Sequence, residues 1–322
     1  MTDAPSDPPT ELPPGHRSGF VAICGRPNVG KSTLLNAILG EPLAVATPHP
    51  QTTREKLLGV WTEHAFQAVL VDTPGIHRAR SALNQYMVGQ ALAGARDVDL
   101  VLLLVETPLV RSAEDAHAWQ PGEVALEALS LLAELQRPIA LVMTKIDRLR
   151  DRDLMIPILQ TMSEAHPFEG IVPTAAATGE GLEQLRSLVS DRLPQGPRYF
   201  DGESLSDRPM RWHAAELIRA ELFEHLREEV PYSCAVVVTA YNEGSRVDRI
   251  SATIFVERPS QKGLVIGKGG RMIKKLREGS QMRIANLTGR VSEVHLNIDI
   301  AKNWTRDPSK LETLGYREEK DS

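Results

Sequence analysis

The chain has 322 residues, of which 42% are hydrophobic and 25% are charged, and its formal net charge is −5 at pH 7. This composition is that of a globular protein long enough for two domains, and it excludes a largely disordered or fibrous chain. The acidic balance also excludes a uniformly basic protein, so any affinity for nucleic acid must come from a local patch.

The N-terminal residues, 1–16, are rich in proline and acidic residues and have no apolar segment of the signal-peptide type. We expect them to form a disordered tail. The two cysteines, Cys24 and Cys234, lie far apart in apolar runs. This placement predicts two reduced, buried thiols and a cytoplasmic protein.

Residues 17–190 alternate between apolar, strand-like runs and helical patterns. This alternation predicts an α/β domain with a mostly parallel sheet and helices on both faces. The expected strands are Phe20–Cys24, Leu57–Trp61, Ala68–Asp72, Leu100–Glu106, Ile139–Thr144 and Ile171–Pro173. The expected helices include Lys31–Leu39, Gln85–Ala95, Glu123–Leu135 and Gly181–Ser190.

A phosphate-binding loop stands between the first strand and the first helix. Its sequence fits the Walker A pattern G-x4-G-K-[ST], which would wrap the β-phosphate in backbone N–H groups. Lys31 would reach the β- and γ-phosphate oxygens, and the Ser32 hydroxyl would bind Mg²⁺. The nucleotide contacts expected from this loop are Gly25, Arg26, Pro27, Asn28, Val29, Gly30, Lys31, Ser32 and Thr33.

A second segment typical of phosphate sites, D-T-P-G at residues 72–75, begins at the end of the expected strand Ala68–Asp72. Asp72 would face the Mg²⁺ shell, and the N–H of Gly75 could reach the γ-phosphate. In Ras-like enzymes a glutamine follows this glycine and orients the attacking water, which the side chain of Ile76 cannot do. The nucleotide contacts expected here are Asp72, Thr73, Pro74, Gly75 and Ile76.

The loop between these motifs contains Q-T-T-R, residues 51–54. One of its threonines would complete the Mg²⁺ shell only when the γ-phosphate is bound, which makes a switch, and the sequence leaves Thr52 and Thr53 as alternatives. A polar surface loop is the other interpretation of this segment. The candidate metal ligands are therefore Ser32, Thr52, Thr53 and Asp72, and the candidate catalytic residues are Asn28, Lys31, Thr52, Thr53 and Gly75.

The segment T-K-I-D resembles the N-K-x-D guanine motif of GTPases, in which the aspartate accepts the N1–H and the 2-amino group of guanine. Thr144 replaces the asparagine, so we expect guanine selection through Asp147 with weaker nucleotide affinity. A strand end with surface charges is the alternative. The later P-T-A-A segment resembles the final guanine loop, with Ala175 in place of serine. The base contacts expected are Thr144, Lys145, Asp147, Ala175 and Ala176.

The asparagine of the phosphate-binding loop helps to bind a K⁺ ion in related GTPases, where the ion takes the place of an arginine finger. Asn28 could do the same here, or it could serve only to shape the loop. An ATP-dependent enzyme would use the same loop, but Asp147 and the absence of a nucleotide-kinase lid in the sequence argue against it.

Residues 191–209 contain three prolines, two glycines and many charges, which predicts a linker. The pattern then changes to that of a compact α+β module over residues 210–317, followed by a solvated tail, 318–322. The expected elements of this module are the helix Met210–Glu229, the strands Ser233–Tyr241, Arg249–Glu257 and Glu293–Ile300, and the helix Ser280–Leu287.

The loop V-I-G-K-G-G is typical of KH domains, which use it to clamp the backbone of single-stranded nucleic acid. We expect a strand before it and a basic helix, Arg271–Leu276, after it. Nine Lys or Arg and one acidic residue lie between Arg258 and Arg290, which favours RNA over a merely solvated basic helix. The candidate RNA contacts are Gly267, Lys268, Gly269, Gly270, Arg271, Lys274, Lys275 and Lys302, with Trp304 equally consistent with the groove or the core.

Together these motifs resemble the Era family over residues 17–317, including the C-terminal pattern Lys302-x-Trp304 with Leu311-x-x-Leu314-Gly315-Tyr316. The departures are Thr144, Ala175 and a longer stretch at 111–122. The resemblance implies a P-loop GTPase domain joined to a type II KH domain. It also implies a slow, Mg²⁺-dependent conversion of GTP to GDP and phosphate, acting as a switch.

The resemblance further implies that the KH domain binds the 3′ end of 16S ribosomal RNA during maturation of the 30S subunit. A monomeric, cytoplasmic protein with peripheral membrane contact is expected, although the sequence shows no anchor. The alternative is an RNA-binding assembly protein whose nucleotide site is only structural.

Overall fold

The computed structural model describes residues 12–45, 53–77 and 81–316. Residues 1–11 of the predicted N-terminal tail lie outside these ranges, as do Thr52 and the C-terminal tail, 318–322. Residues 12–16 are described, and His16 is buried with its Nδ1 3.0 Å from the Gly196 carbonyl oxygen, so this end of the predicted tail packs on the fold. Within the described residues, no helix is both long and apolar enough to span a bilayer.

The first sheet has six strands in the order β2-β3-β1-β4-β5-β6. Only β2 is antiparallel to its neighbour, and all the other pairs are parallel. All six predicted strands are present, with ends that differ by up to three residues. The strands are β1 Arg17–Gly25, β2 Leu57–Thr62, β3 Phe66–Asp72, β4 Leu100–Glu106, β5 Ile139–Thr144 and β6 Ile171–Pro173.

Helices cover both faces of this sheet, as predicted for an α/β domain. One buried cluster joins the sheet to α1 and α6 through Leu34 and Leu185, and a second joins it to α2, α4 and α5 through Ala91, Leu129 and Ile158. The helices are α1 Lys31–Leu39, α2 Ala82–Arg96, α3 Ala113–Ala118, α4 Glu123–Ala133, α5 Met155–Ala165 and α6 Leu182–Arg192.

The segment predicted as a linker lies along the outer edge of the first sheet. The side chain of Gln67, fully buried on β3, accepts the N–H groups of Tyr199 (2.8 Å) and Phe200 (3.0 Å) and donates to the Phe200 carbonyl (2.9 Å). The N–H of Val60 on β2 donates to the carbonyl of Leu205 at 3.0 Å. These bonds fix the path by which the chain reaches its second half.

The second half contains a three-stranded sheet in the order β7-β8-β9, with β7 antiparallel and β9 parallel to β8. The order α–β–β–α–α–β is that of a type II KH domain, so the predicted fold class is confirmed. The elements are α7 Met210–His225, β7 Ala235–Asn242, β8 Val247–Val256, α8 Pro259–Ile266, α9 Arg271–Thr288, β9 Val291–Ile300 and α10 Pro308–Thr313.

Two local predictions in this half were wrong. The apolar run before the glycine loop is helix α8 and not a strand, and the two helices expected after the loop form the single helix α9. Gly279 lies inside α9 where this helix meets α7, and a Cβ there would lie 1.9 Å from the carboxylate oxygen Oε2 of the buried Glu221 side chain. A glycine inside a helix can thus mark close helix–helix approach.

Candidate functional site

The phosphate-binding loop joins β1 to α1, and the backbone N–H groups at the start of α1 have no side-chain cap. Gly25 has φ 144°, and a Cβ there would lie 2.6 Å from the Leu104 carbonyl oxygen, so only glycine fits. Gly30, with φ 106°, precedes α1 and provides no side-chain cap. The first N–H groups of α1 are therefore left to bind an anion such as a phosphate.

Lys31 lies at the start of α1 and is buried against this loop. Its Nζ donates to the carbonyl oxygens of Gly25 (3.2 Å) and Arg26 (3.0 Å). Burial lowers the pKa of the Lys31 ammonium, while nearby Asp72 acts to raise it. The ammonium is thus held at the loop that would enclose the phosphates.

Three oxygen-bearing side chains meet beside the loop. The Ser32 hydroxyl donates to Asp72 Oδ2 at 2.9 Å and lies 3.1 Å from Thr53 Oγ1. The other carboxylate oxygen, Asp72 Oδ1, is buried without a hydrogen-bond partner, and burial raises the pKa of this carboxyl to about 6. Hydroxyl and carboxylate oxygens suit Mg²⁺, so these residues fit the expected ion. Thr53 therefore lies at this cluster, and Thr52 lies outside the described residues.

The D-T-P-G segment packs directly on the phosphate-binding loop. A Cβ on Gly75 would lie 2.6 Å from the backbone nitrogen of Pro27, and the N–H of Ile76 donates to the Gly25 carbonyl at 3.0 Å. The Thr73 hydroxyl donates to the Ile23 carbonyl at 2.8 Å. The Ile76 side chain is 1% exposed and belongs to the core, so it has no role in orienting water.

The segments predicted to recognise the base lie next to the phosphate-binding loop. The Thr144 hydroxyl donates to the Val29 carbonyl at 2.6 Å, and Lys145 Nζ donates to the Asn28 carbonyl at 2.7 Å. Asp147 follows in an exposed 3₁₀ turn. The P-T-A-A loop is adjacent, since the N–H of Ile146 donates to the Thr174 carbonyl at 3.2 Å. Thr144 therefore ties the base segment to the phosphate segment in place of an asparagine.

Glu106 is a site residue that sequence reasoning missed. It ends β4 opposite Thr144 and forms ion pairs with Arg26 and Arg148, and with Lys145 at 3.1 Å. The carboxylate thus links the phosphate-binding loop to the base-recognition segment. Only its position at a parallel strand end, where ligand-binding loops gather, could have indicated this role.

The glycine loop Gly267–Gly270 joins α8 to α9. Gly267 adopts φ 71° and ψ 167°, a conformation open essentially to glycine alone, and a Cβ there would lie 2.6 Å from Met272 Cβ. Gly269 and Gly270 have φ 62° and 74°, and a Cβ on either would meet no atom of the described residues within 4 Å. The loop is therefore open to close approach by another backbone.

The predicted basic residues lie on this surface. The side chains of Lys268, Arg271, Lys274 and Lys275 are exposed, and α9 begins at Gly270 without a side-chain cap. Lys302 is exposed in the turn after β9. Trp304, by contrast, is fully buried, and its indole N–H donates to the Ser233 carbonyl at 2.8 Å. Of its two interpretations, core packing is the correct one.

Comparison with known proteins assigns the chain to a family. A model described as 50S ribosome-binding GTPase matches residues 20–145, and a KH domain model matches residues 229–305. GTPase Era of Geobacter metallireducens is 45% identical over 303 residues, which cover 93% of this chain and 98% of that protein. This chain belongs to the Era family of GTPases. GTPase Era of Lactobacillus delbrueckii subsp. bulgaricus is 38% identical, with 94% and 96% covered.

Two solved structures of Era family members share the whole architecture. Aquifex aeolicus Era, as a variant bound to GDP·AlF₄⁻, is 30% identical with a TM-score of 0.85, and covers 93% of this chain and 99% of its own. Era in complex with MgGDPNP and nucleotides 1506–1542 of 16S ribosomal RNA is also 30% identical, with a TM-score of 0.86 and coverage of 94% and 99%. The predicted union of a GTPase with a KH domain is confirmed.

The tether from Thr144 to the phosphate-binding loop generates a testable prediction. Replacing Thr144 with valine keeps the shape and removes one hydrogen bond, which we expect to cost about 1 kcal/mol of GDP affinity, or about fivefold in Kd. Isothermal titration with GDP and Mg²⁺ measures this. Thr161→Val, which removes a hydroxyl bonded within α5, is the matched control. An unchanged Kd for T144V would contradict the role given to this tether.

Proposed function

We propose that this GTPase binds GTP and GDP with Mg²⁺ at the phosphate-binding loop, hydrolyses GTP slowly, and binds the 3′ end of 16S ribosomal RNA through its KH domain during 30S subunit maturation. The observation that carries the proposal is the meeting of Ser32, Thr53 and Asp72 beside a phosphate-binding loop. The complex of a family member with MgGDPNP and 16S ribosomal RNA supports it.

In this proposal the loop N–H groups and Lys31 bind the phosphates. Ser32 and Asp72 would hold Mg²⁺, Thr53 would join them when the γ-phosphate is bound, and the N–H of Gly75 would donate to the γ-phosphate. When bound, the ion neutralises charge on the β- and γ-phosphate oxygens. The remaining candidates on the loop, Arg26 to Val29 and Thr33, would lie around the phosphates, and all of them except Pro27 have a backbone N–H that could donate to a phosphate oxygen.

Guanine selection is assigned to Asp147, whose exposed carboxylate can accept two hydrogen bonds from the base. The N–H of Ala175 already donates to the Glu180 carbonyl at 2.9 Å. We therefore assign the contact with guanine O6 to the N–H of Ala176. Adenine offers Asp147 no matching pair of donors, and its amino group would face an N–H donor.

The experiment that tests the nucleotide assignment compares GDP with ADP. We expect isothermal titration in Mg²⁺ and K⁺ buffer to give a Kd for GDP lower than that for ADP by about a hundredfold or more. Asp147→Ala should remove most of this difference, whereas Asp153→Ala, at an exposed site nearby, should retain it. If wild-type protein binds the two alike, the guanine pocket is not functional and the assignment is wrong.

The alternative, a nucleotide site that is only structural, remains motivated by Thr144. It requires GDP binding without turnover, even with the RNA present. A measurable release of phosphate from GTP would rule out this alternative. A rate of zero both with and without the RNA would favour it.

Slow hydrolysis follows from the absence of a water-orienting glutamine after Gly75. We propose that Asn28 helps to bind K⁺ in place of an arginine finger, as the family resemblance implies. The position of Asn28 within the phosphate-binding loop supports this proposal, and its backbone adopts φ 62° there.

Exchange of the monovalent cation checks this proposal. We expect phosphate release to be faster in K⁺ than in Na⁺ at equal ionic strength, and we expect Asn28→Ala to abolish this difference. The affinity of the variant for GDP, measured with a fluorescently labelled GDP, should fall only modestly. The same rate in both salts for wild-type protein would contradict it.

RNA binding is assigned to the glycine loop and to the basic residues Lys268, Arg271, Lys274 and Lys275, with Lys302 as a further contact. The exposed ammonium of Lys268 lies within the loop that would approach the backbone phosphates. The two domains that we propose, residues 17–190 and 210–317, would then each hold one ligand, with residues 191–209 between them. A monomer, a cytoplasmic location and peripheral membrane contact stay predictions.

Salt titration of RNA binding provides a test. For an RNA of nucleotides 1506–1542 of 16S ribosomal RNA, Lys268→Ala should weaken binding and reduce the slope of log Kd against log salt concentration by about 0.7 to 1, the value for one lost phosphate contact. Arg150→Ala, an exposed cation on the first domain, should leave the slope unchanged. A slope unaltered in K268A would argue against this contact.

A further inference from the structure

The segment that carries Thr53 continues directly into the second half of the molecule. Thr53 lies at the Mg²⁺ site, 3.1 Å from Ser32 Oγ, and the next residue, Arg54, extends away from it. The Arg54 guanidinium donates through Nη1 to the Cys234 carbonyl at 2.8 Å and through Nη2 to the Tyr232 carbonyl at 2.8 Å. Adjacent residues thus contact the nucleotide site and the KH domain.

The guanidinium is enclosed by aromatic rings of the KH domain. Its central carbon lies 5.5 Å from the centre of the Trp304 ring and 5.8 Å from that of Tyr316, two rings that stack at 5.6 Å. Nη1 also donates to the Tyr316 hydroxyl at 3.0 Å. Arg54 is only 2% exposed. A cation held by several acceptors and two aromatic faces while shielded from water is strongly fixed in place.

The residues after Arg54 are also held by residues near the start of the second half of the chain. The Trp212 indole N–H on α7 donates to Glu55 at 2.8 Å, and the Arg208 guanidinium donates to the Lys56 carbonyl at 3.0 Å. Helix α2, which follows the D-T-P-G segment, packs on the same rings, with the ring of Tyr86 centred 5.8 Å from that of Tyr316. Arg54, next to Thr53, and helix α2, which follows the D-T-P-G segment in the chain, therefore both pack against Tyr316.

We propose that Arg54 is a positioning residue for the GTPase site: its anchorage between Trp304 and Tyr316 holds Thr53 beside Ser32 and Asp72, so that the KH domain in this docked position favours the triphosphate state. The inference rests on the proposed function and adds the residue through which the second domain acts on it. GDP binding does not require Thr53, because this threonine completes the Mg²⁺ shell only when the γ-phosphate is present.

The proposal predicts that Arg54 affects the affinity for a triphosphate and not the affinity for GDP. Releasing Arg54 should weaken binding of the Mg²⁺ complex of GDPNP while leaving that of GDP nearly unchanged. The ratio Kd(GDPNP)/Kd(GDP) in full-length Arg54→Ala should rise by about tenfold or more, within the usual range of coupling between sites. Arg246→Ala, an exposed arginine in the turn between β7 and β8, is the matched control and should leave the ratio unchanged.

A second variant places the change wholly in the KH domain. Tyr316→Phe retains the ring and removes one acceptor for Arg54, so the ratio should rise by about threefold. In R54A the partner of that hydroxyl is gone, so Y316F should add nothing further, and the double-mutant cycle should show this non-additivity. If R54A acted only by changing the loop at the nucleotide site, Y316F would leave the ratio Kd(GDPNP)/Kd(GDP) unchanged.

Isothermal titration of the five proteins (wild type, R54A, Y316F, the double variant and R246A) with GDP and GDPNP distinguishes the outcomes. A selective rise in the ratio for both single variants supports the proposal, and if R54A does not fold, Y316F decides alone. Normal GDP binding with an unchanged ratio in Y316F and in any folded R54A overturns the inference and leaves the proposed function standing. Failure of wild-type protein to bind GDP would overturn the proposed function, and the inference with it.

Discussion

The nucleotide site depends on the common direction of the strands β1, β3, β4, β5 and β6. Because they are parallel, their carboxyl ends meet at one edge of the sheet, and loops more than a hundred residues apart come into contact there. Strand β2 runs in the opposite direction and contributes to the same edge through its amino end. It is antiparallel to β3, with Leu57 paired with Asp72, so its first residue lies at this edge. The segment before β2, which holds Thr53, is thereby delivered to the same site as the segments that follow the parallel strands.

This arrangement concentrates charge where water is excluded. Burial lowers the pKa of Lys31 and raises that of Asp72 to about 6, so each charged form carries a desolvation cost. A buried charge without sufficient compensation destabilises a folded protein. Lys31 and Asp72 offset each other's charge only in part, and phosphate oxygens beside Lys31 and a divalent cation beside Asp72 would supply further countercharge. Ligand binding and the stability of this edge of the sheet are therefore linked, since a ligand that binds only the folded state stabilises it.

The structure could be predicted best from the sequence where the conformation of a segment depends mainly on its own residues. The glycines of the phosphate-binding loop need positive φ or close approach, and a motif records that need. Short apolar runs were less informative, because Leu264–Ile266 reads equally as a strand or as a buried helical turn. Residues that act through distant partners could not be found in this way. Arg54 looked like part of a polar loop, and its contacts with Cys234 and Tyr316 exist only because the fold brings together residues about 180 and 262 positions apart.

The contacts of Arg54 also continue toward the glycine loop. Arg54 donates to Cys234, and the neighbouring residue Ser233 accepts a hydrogen bond from Gln261 at 2.8 Å. Gln261 lies in the first turn of α8, the helix that ends at the glycine loop. A chain of contacts transmits a change only if its two ends favour different arrangements of the elements between them. In the function proposed above, the γ-phosphate and Mg²⁺ would act on one end through Thr53, and RNA phosphates would act on the other at Gly267–Gly270. Coupling through α8 would then be reciprocal, because linkage requires that whatever GTP does to RNA affinity, RNA does to GTP affinity.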